Sequence, residues 1–260
     1  VGLLITLMAA ANWLEHRKGR APLSPWWATA TLAWVCLQGA FGALTVTMKL
    51  YPAIVTAHLL GGLGLLALLA VQAQAYRRAP LALSAGLTLG AWAVAVIGVA
   101  QIALGGWVST NYAVLACSDF PTCQGAWWPP MDFEHAYTVR RELGMGAGGQ
   151  VIPFAALTAI HVVHRIGALV TFAAMALFAW RLIAAGGAVS RRFALGLLAV
   201  AGWQFLTGLS NVVLGWPLLS AVAHTGGAAI FVMLLATLLA RAGLARRGAH
   251  HAAGLVPTAS

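Results

Sequence analysis

Six long apolar runs dominate this chain: Trp26–Thr47, Pro52–Ala75, Leu81–Val108, Pro153–Trp180, Phe193–Gly215 and Leu218–Ala240. A shorter one, Val1–Leu14, precedes them. Crossing the hydrocarbon core of a bilayer takes about 20 apolar residues in a helix, and each of the six is long enough to cross with some tilt. Composition removes the alternatives. The chain is 61% apolar and 8% charged, against roughly 45–50% and about 25% in soluble domains. Disorder fails too, because disordered chains are poor in apolar residues. A membrane β-barrel would alternate over segments of about ten residues, whereas these runs are continuous and rich in Leu and Ala. The expected fold is an all-α polytopic membrane protein with six full transmembrane helices and one partial helix. The first run lacks the basic start and cleavage site of a secretory signal. It is read as the later part of a transmembrane helix whose first half is absent.

Breaks between the runs carry an orientation signal. Arg17, Lys18, Arg20, Arg77, Arg78, Arg181, Arg191, Arg192, Arg241, Arg246 and Arg247 fall on one side. The other side holds Lys49, Arg140 and Arg141, and Arg165 lies within a run. Basic loops stay cytoplasmic, so stretches 48–51, 109–152 and 215–217 are expected to face outward. The net charge of +10 is read as topology, not as a nucleic-acid surface.

Stretch 109–152 is long for a loop, and loops beyond about 12–15 residues are usually functional or disordered. It contains Trp127-Trp128-Pro129-Pro130 and four of the five acidic residues, and it is read as a packed cap at the membrane interface. Cys117 and Cys123 lie within it. An outward face is oxidising and permits a disulfide, and Pro121 between them favours a turn. The disulfide is preferred over a free thiol pair or a copper site. Cys36, alone in an apolar run, is read as a small core residue.

Two segments repeat. Gln38, Gly42, Pro52, His58 and Gly61-Gly62 correspond to Gln204, Gly208, Pro217, His224 and Gly226-Gly227. The offset is 204 − 38 = 166, and both turns face the same side, as in parallel membrane repeats. Subtracting 166 from His164 gives a position just before Val1, which is where the repeat expects a matching histidine.

Of eight histidines, His16, His250 and His251 fall in basic loops or the tail and are read as solvated. His58, His161, His164 and His224 fall in transmembrane runs, where ionisable residues mark function by default. At 1.5 Å per residue, His58 and His224 lie roughly 9 and 10 Å inward of their prolines. In a core about 30 Å thick, His164 falls about 6 Å below the outward face. Matched imidazoles on different helices are what an axially ligated haem requires. Four zinc ligands are not on offer, and the bland alternative is a set of satisfied core histidines. His161 and His164 share a helix face, so only one can be a ligand to the same iron. His164 is preferred because Arg165 adjoins it and suits a carboxylate such as a haem propionate. The glycines after each ligand let a flat ring or a neighbouring helix approach closely.

Gln101 to Thr110 (QIALGGWVST), Ala116 to Gly125 (ACSDFPTCQG), His164-Arg165, and Ala223-His224 with Gly226 together resemble the haem A synthase family across essentially the whole chain. The resemblance implies two pseudo-symmetric four-helix bundles, the first incomplete here. They would be an N-terminal half at 1–80 for substrate haem, a C-terminal bundle at 81–245 carrying outer loop 109–152, and a cytoplasmic tail at 246–260. It implies a bis-His haem b on His164 and His224, with Arg165 beside it, and a haem O substrate whose iron meets His58 as the catalytic-site histidine. The implied reaction oxidises a porphyrin methyl group to a formyl group. The cysteine pair matches an outer-loop disulfide of part of the family. Partners implied are haem O synthase, oxidase assembly factors, membrane lipid and further copies of the chain, in a bacterial inner membrane with the Cys117–Cys123 loop periplasmic. The family's other N-terminal histidine and its glutamate would precede Val1, so these residues alone are expected to bind one haem and to be inactive. Rival readings are a bis-His cytochrome b-type electron-transfer protein and a transporter. The duplicated architecture permits a transporter, but no unwound mid-helix segment supports one.

Overall fold

A computed structural model describes residues 1–21 and 23–253. Among these the chain is helical, without strands. Its elements are α1 (Gly2–Arg17), α2 (Pro25–Thr47), α3 (Pro52–Arg77), α4 (Ala85–Thr110), the short α5 (Phe133–Ala136), α6 (Phe154–Ala184), α7 (Ala188–Val213) and α8 (Leu218–Ala253). Six of them, α2, α3, α4, α6, α7 and α8, are long and apolar enough to cross a membrane. In lipid a backbone must satisfy its own polar groups, and helices do so within one segment. This is a multi-pass membrane protein.

Helix starts follow local chemistry. Pro25 and Pro52 open α2 and α3 at the first turn, where proline's missing N–H costs nothing. Ser84 caps α4, its hydroxyl accepting from Leu87 N at 3.2 Å. Gly186 and Gly187, both at positive φ (78° and 87°), turn α6 back into α7 within three residues. An L side chain would resist that geometry.

Several boundaries differ from the sequence reading. Residues 81–84 are extended, because Leu81 N donates to Arg241 O at 3.1 Å and Arg241 Nε to Ala79 O at 2.7 Å. Helix α8 continues past 245, so residues 246–253 are helical. The solvation expected of His250 and His251, and everything at 254–260, lies outside the described residues. Cys36 is exposed on α2 and is no core residue.

Helices α4, α6, α7 and α8 form a ring in which α6 packs on α4 and α7, and α8 on α7 and α4. Helices α6 and α8 thus face each other across the ring. One half of this bundle, toward the basic ends, is a dense apolar core. Phe178, Ala179 and Leu182 of α6 meet Leu197 of α7, Ala91 of α4 and Phe231, Leu235 and Leu238 of α8. The Phe231 ring takes the place of a side chain at Gly98, and a methyl group there would collide with it. Helices α1, α2 and α3 extend this assembly, α3 packing on both α4 and α8.

The loop at 109–152 is the packed cap expected. Val114, Ala136, Met131 and Tyr137 close on Trp107 of α4 and Ala156, Ala159 and Ile160 of α6. Trp107 Nε1 donates to Ala136 O at 2.9 Å. Trp127 and Trp128 stand outside this packing, 77% and 70% exposed. Arg141 is 5% exposed, and its guanidinium donates to Thr138 O, Met145 O and Asn111 Oδ1 while lying over the Trp107 ring. Burial pushes its pKa down from the usual arginine value.

Candidate functional site

Between the packed core and the cap lies a level of the bundle built on glycine. Gln101 and Gly105 share one face of α4, four residues apart. His164 comes from α6, and its ring rests on Gly105; a methyl group at that glycine would stand 2.9 Å from His164 Cε1. Gln204 and Gly208 repeat the arrangement on α7, with His224 of α8 resting on Gly208 at 3.2 Å by the same measure. A third copy joins α2 and α3, where Gln38 and Gly42 face His58 and the corresponding distance is 3.3 Å. In each copy the glutamine side chain lies over the glycine three residues after the histidine: Gly61, Gly167 and Gly227. Those glycines therefore seat a neighbouring helix's amide. Gly62 and Gly226 have nothing within 4 Å of an added methyl group.

The sequence reading found the first and last copies of this module but not the middle one. Its signal was available as Gln101-x3-Gly105 with His164-x2-Gly167. The 44-residue stretch 109–152 parts the two halves, so spacing alone concealed them.

Hydrogen bonds fix the rings differently. Gln101 Nε2 lies 3.0 Å from both His164 Nδ1 and His164 O. Gln204, with its amide oriented by its neighbours, donates to His224 O at 2.9 Å, lies 3.0 Å from His224 Nδ1, and accepts from Ala228 N at 3.1 Å. Thr207 Oγ1 also lies 3.0 Å from His224 Nδ1, and its own hydroxyl reaches Trp203 O at 2.8 Å. His58 Nδ1 and Gln38 Oε1 are both buried without a partner. His161 is buried, with Nδ1 at 3.0 Å from Ala113 O. It ties α6 to the cap as a satisfied core histidine.

Arg165 stands beside His164 and reaches upward into the cap. It donates to Thr122 O at 2.8 Å, Asp119 O at 2.9 Å and Cys117 O at 3.3 Å. Cys117 and Cys123 form a disulfide, as the sequence reading preferred, and it is buried against Val162 of α6 and Met131. Phe120 in the same turn meets Phe205 of α7 edge to face. The turn therefore bridges α6 and α7 beside the histidines. Asp119 organises it from within: the Thr122 hydroxyl first, then the Gly125 and Gln124 N–H groups, hold its carboxyl below the ordinary carboxylate range. A second acidic contact pairs Asp132 with His135 at 2.7 Å; the His135 backbone N–H foremost, and then its ring, lower the Asp132 pKa.

A histidine pair on opposed helices, each ring seated on glycine, is a donor set of two neutral imidazoles with no carboxylate among them. Comparison with known proteins narrows its meaning. The family described as COX15-CtaA, cytochrome oxidase assembly protein, matches residues 1–238. The chain belongs to this family. A relative named Heme A synthase, from Shewanella oneidensis, is 36% identical over 217 residues, which cover 78% of this chain. The matched part spans 62% of that relative's length. The family match takes in all three glutamine–glycine–histidine modules, Arg165 and the disulfide turn.

Proposed function

We propose that this protein is a haem A synthase: a membrane oxidoreductase that takes haem O as substrate and oxidises one porphyrin methyl group to a formyl group. The observation that carries the reading is the pair His164 and His224, brought from α6 and α8 to opposite sides of one bundle, each backed by glycine. The 36% identity to a relative of that name supplies the reaction. We assign haem b as the resident cofactor, held by His164 and His224, with His58 meeting the iron of the substrate haem in the half formed by α1 to α3.

The residues fit the resident group. Glycines 105 and 208 leave room for the imidazoles, and each Nδ1 has a polar neighbour on the adjacent helix, leaving Nε2 for iron. A haem held by two histidines supplies electron transfer, having no open position for oxygen. Around it, Gln101, Gln204 and Thr207 orient the ligands. Arg165 holds the disulfide turn beside His164, and its positive charge would suit a propionate. The packed core below Phe231 excludes water from the basic side. On the substrate side, Thr56 of α3 and Thr110 of α4 meet at 3.2 Å, and Leu59 and Thr56 pack on Gly106. These contacts lock the half carrying His58 to the half carrying His164.

We also assign the basic loops and C-terminus to the cytoplasm and the Cys117–Cys123 turn to the periplasm of a bacterial inner membrane. Haem O synthase and oxidase assembly factors are the fitting partners, and contact with further copies of the chain is compatible with the exposed α1–α2 face.

Two measurements test the reading. The purified chain should show the absorption spectrum of a six-coordinate haem b, abolished in His164→Ala and His224→Ala. Expressed beside haem O synthase, the protein should yield haem A by extraction and mass analysis, and His58→Ala should stop it. Colourless protein, or haem b without any formyl product, would refute the assignment. The second of those outcomes would favour an electron-transfer cytochrome.

A further inference from the structure

The three modules share glycine seats but differ in what stands behind each imidazole. A neutral imidazole carries one N–H. To offer its Nε2 lone pair to iron it must keep the proton on Nδ1, and that N–H needs an acceptor. His224 has one in place. Thr207 Oγ1 lies 3.0 Å from Nδ1 and passes its own proton to Trp203 O, so its lone pairs are free to accept. His164 has only the Gln101 amide. That amide presents its nitrogen, which donates to His164 O at 3.0 Å, and so gives an Nδ1–H no acceptor. His58 has no bond at Nδ1, which is buried without a partner. Sequence register explains the difference. Thr207 stands three residues after Gln204, and the equivalent positions after Gln101 and Gln38 are Leu104 and Phe41.

We propose that Thr207 is a positioning residue that makes His224 the firmest of the three histidines on iron, His164 and His58 having no acceptor behind the ring. The proposal rests on the haem reading given above and deepens it. An acceptor on Nδ1–H makes the imidazole a more basic ligand and is one of the levers by which a protein sets a haem's potential. A resident haem would thus have one supported ligand, His224, whereas the histidine of the substrate half, His58, has no such support.

The test uses the purified chain with its haem, reduced, with carbon monoxide as probe, because carbon monoxide binds only where a ligand has left. Thr207→Val should raise carbon monoxide affinity about tenfold, the lower end of the range for lost outer-shell support, and move the midpoint potential upward. Thr207→Ser should restore both. Gln101→Glu, whose carboxylate would give the His164 N–H the acceptor it lacks, should move the potential downward and lower carbon monoxide affinity. This second variant decides the matter if Thr207→Val does not fold. Variants that keep haem, bind carbon monoxide and titrate like the parent overturn this proposal alone. A parent chain that purifies without haem overturns the reading beneath it, and the proposal with it.

Discussion

The module at α7–α8 and the module at α2–α3 are nearly the same object. Gln204, Gly208, His224 and Gly227 stand in the same register as Gln38, Gly42, His58 and Gly61, and a methyl group added at Gly208 or Gly42 would stand 3.2 or 3.3 Å from the imidazole. They part at one side chain. Thr207 supplies a hydroxyl behind His224, and Phe41 supplies none at the corresponding place. Duplication copied the seat and left the backing free to vary. On the proposed reading, the histidine says where iron would bind, while the residue behind it says how firmly it would be held.

The largest expected effect tests whether the glycine seats are needed at all. Gly105→Leu or Gly208→Leu should abolish haem b binding, read as loss of the Soret absorbance, while helix content by circular dichroism stays constant. A bound haem in either variant would break the comparison at its base. Next, Phe231→Ala should lower unfolding free energy in detergent by about 2–3 kcal/mol, toward the low end of large-to-small core changes. The helices would lose packing and not water exclusion. Haem content at low temperature should not change. A smaller effect sharpens the comparison directly. Phe41→Thr should install the missing hydroxyl behind His58 and slow exchange of added haem O from that half several-fold, with no change in the haem b spectrum. The smallest effect concerns the turn over the site. The Asp119 carboxyl is held below its ordinary value of 3.8, so its bonds are at full strength above that value and fade as pH falls through the lowered one. Backbone exchange at Gly125 and Gln124 should accelerate only below about pH 3.8, and Asp119→Asn should show the faster exchange already at neutral pH.

Much of this architecture was legible in the residues. The helix starts at Pro25 and Pro52, the packed cap and the disulfide all follow from short-range chemistry. The ends of α7 and α8 were less legible. Helix α7 begins at Ala188 and carries Arg191 and Arg192, and α8 runs through Arg246 and Arg247. Apolarity marks where lipid stops, whereas arginine continues a helix readily. Residues 81–84 escaped because their partner, Arg241, is distant in sequence. Cys36 was misjudged because an apolar helix in lipid gives no sign of which face meets protein. At the site, the histidines announced themselves as charges out of place, and Gln38 and Gln204 through the repeat. Gln101 and Thr207 did not, since a hydrogen-bond partner behind a ring is set by how two helices rotate against each other. Arg165 was found beside His164, but its bonds to the three carbonyls of the disulfide turn required that turn's path through space.

The tight apolar packing around Phe231 and Leu238 lies in one half of the bundle, and the histidines lie in the other. Resistance to heat and grip on the cofactor are therefore written in different residues. A melting-temperature screen would register damage near the arginine ends directly, whereas damage at the histidines would reach it only through the stabilisation a bound haem would supply, so colour and calorimetry together give the fuller record of a variant's health.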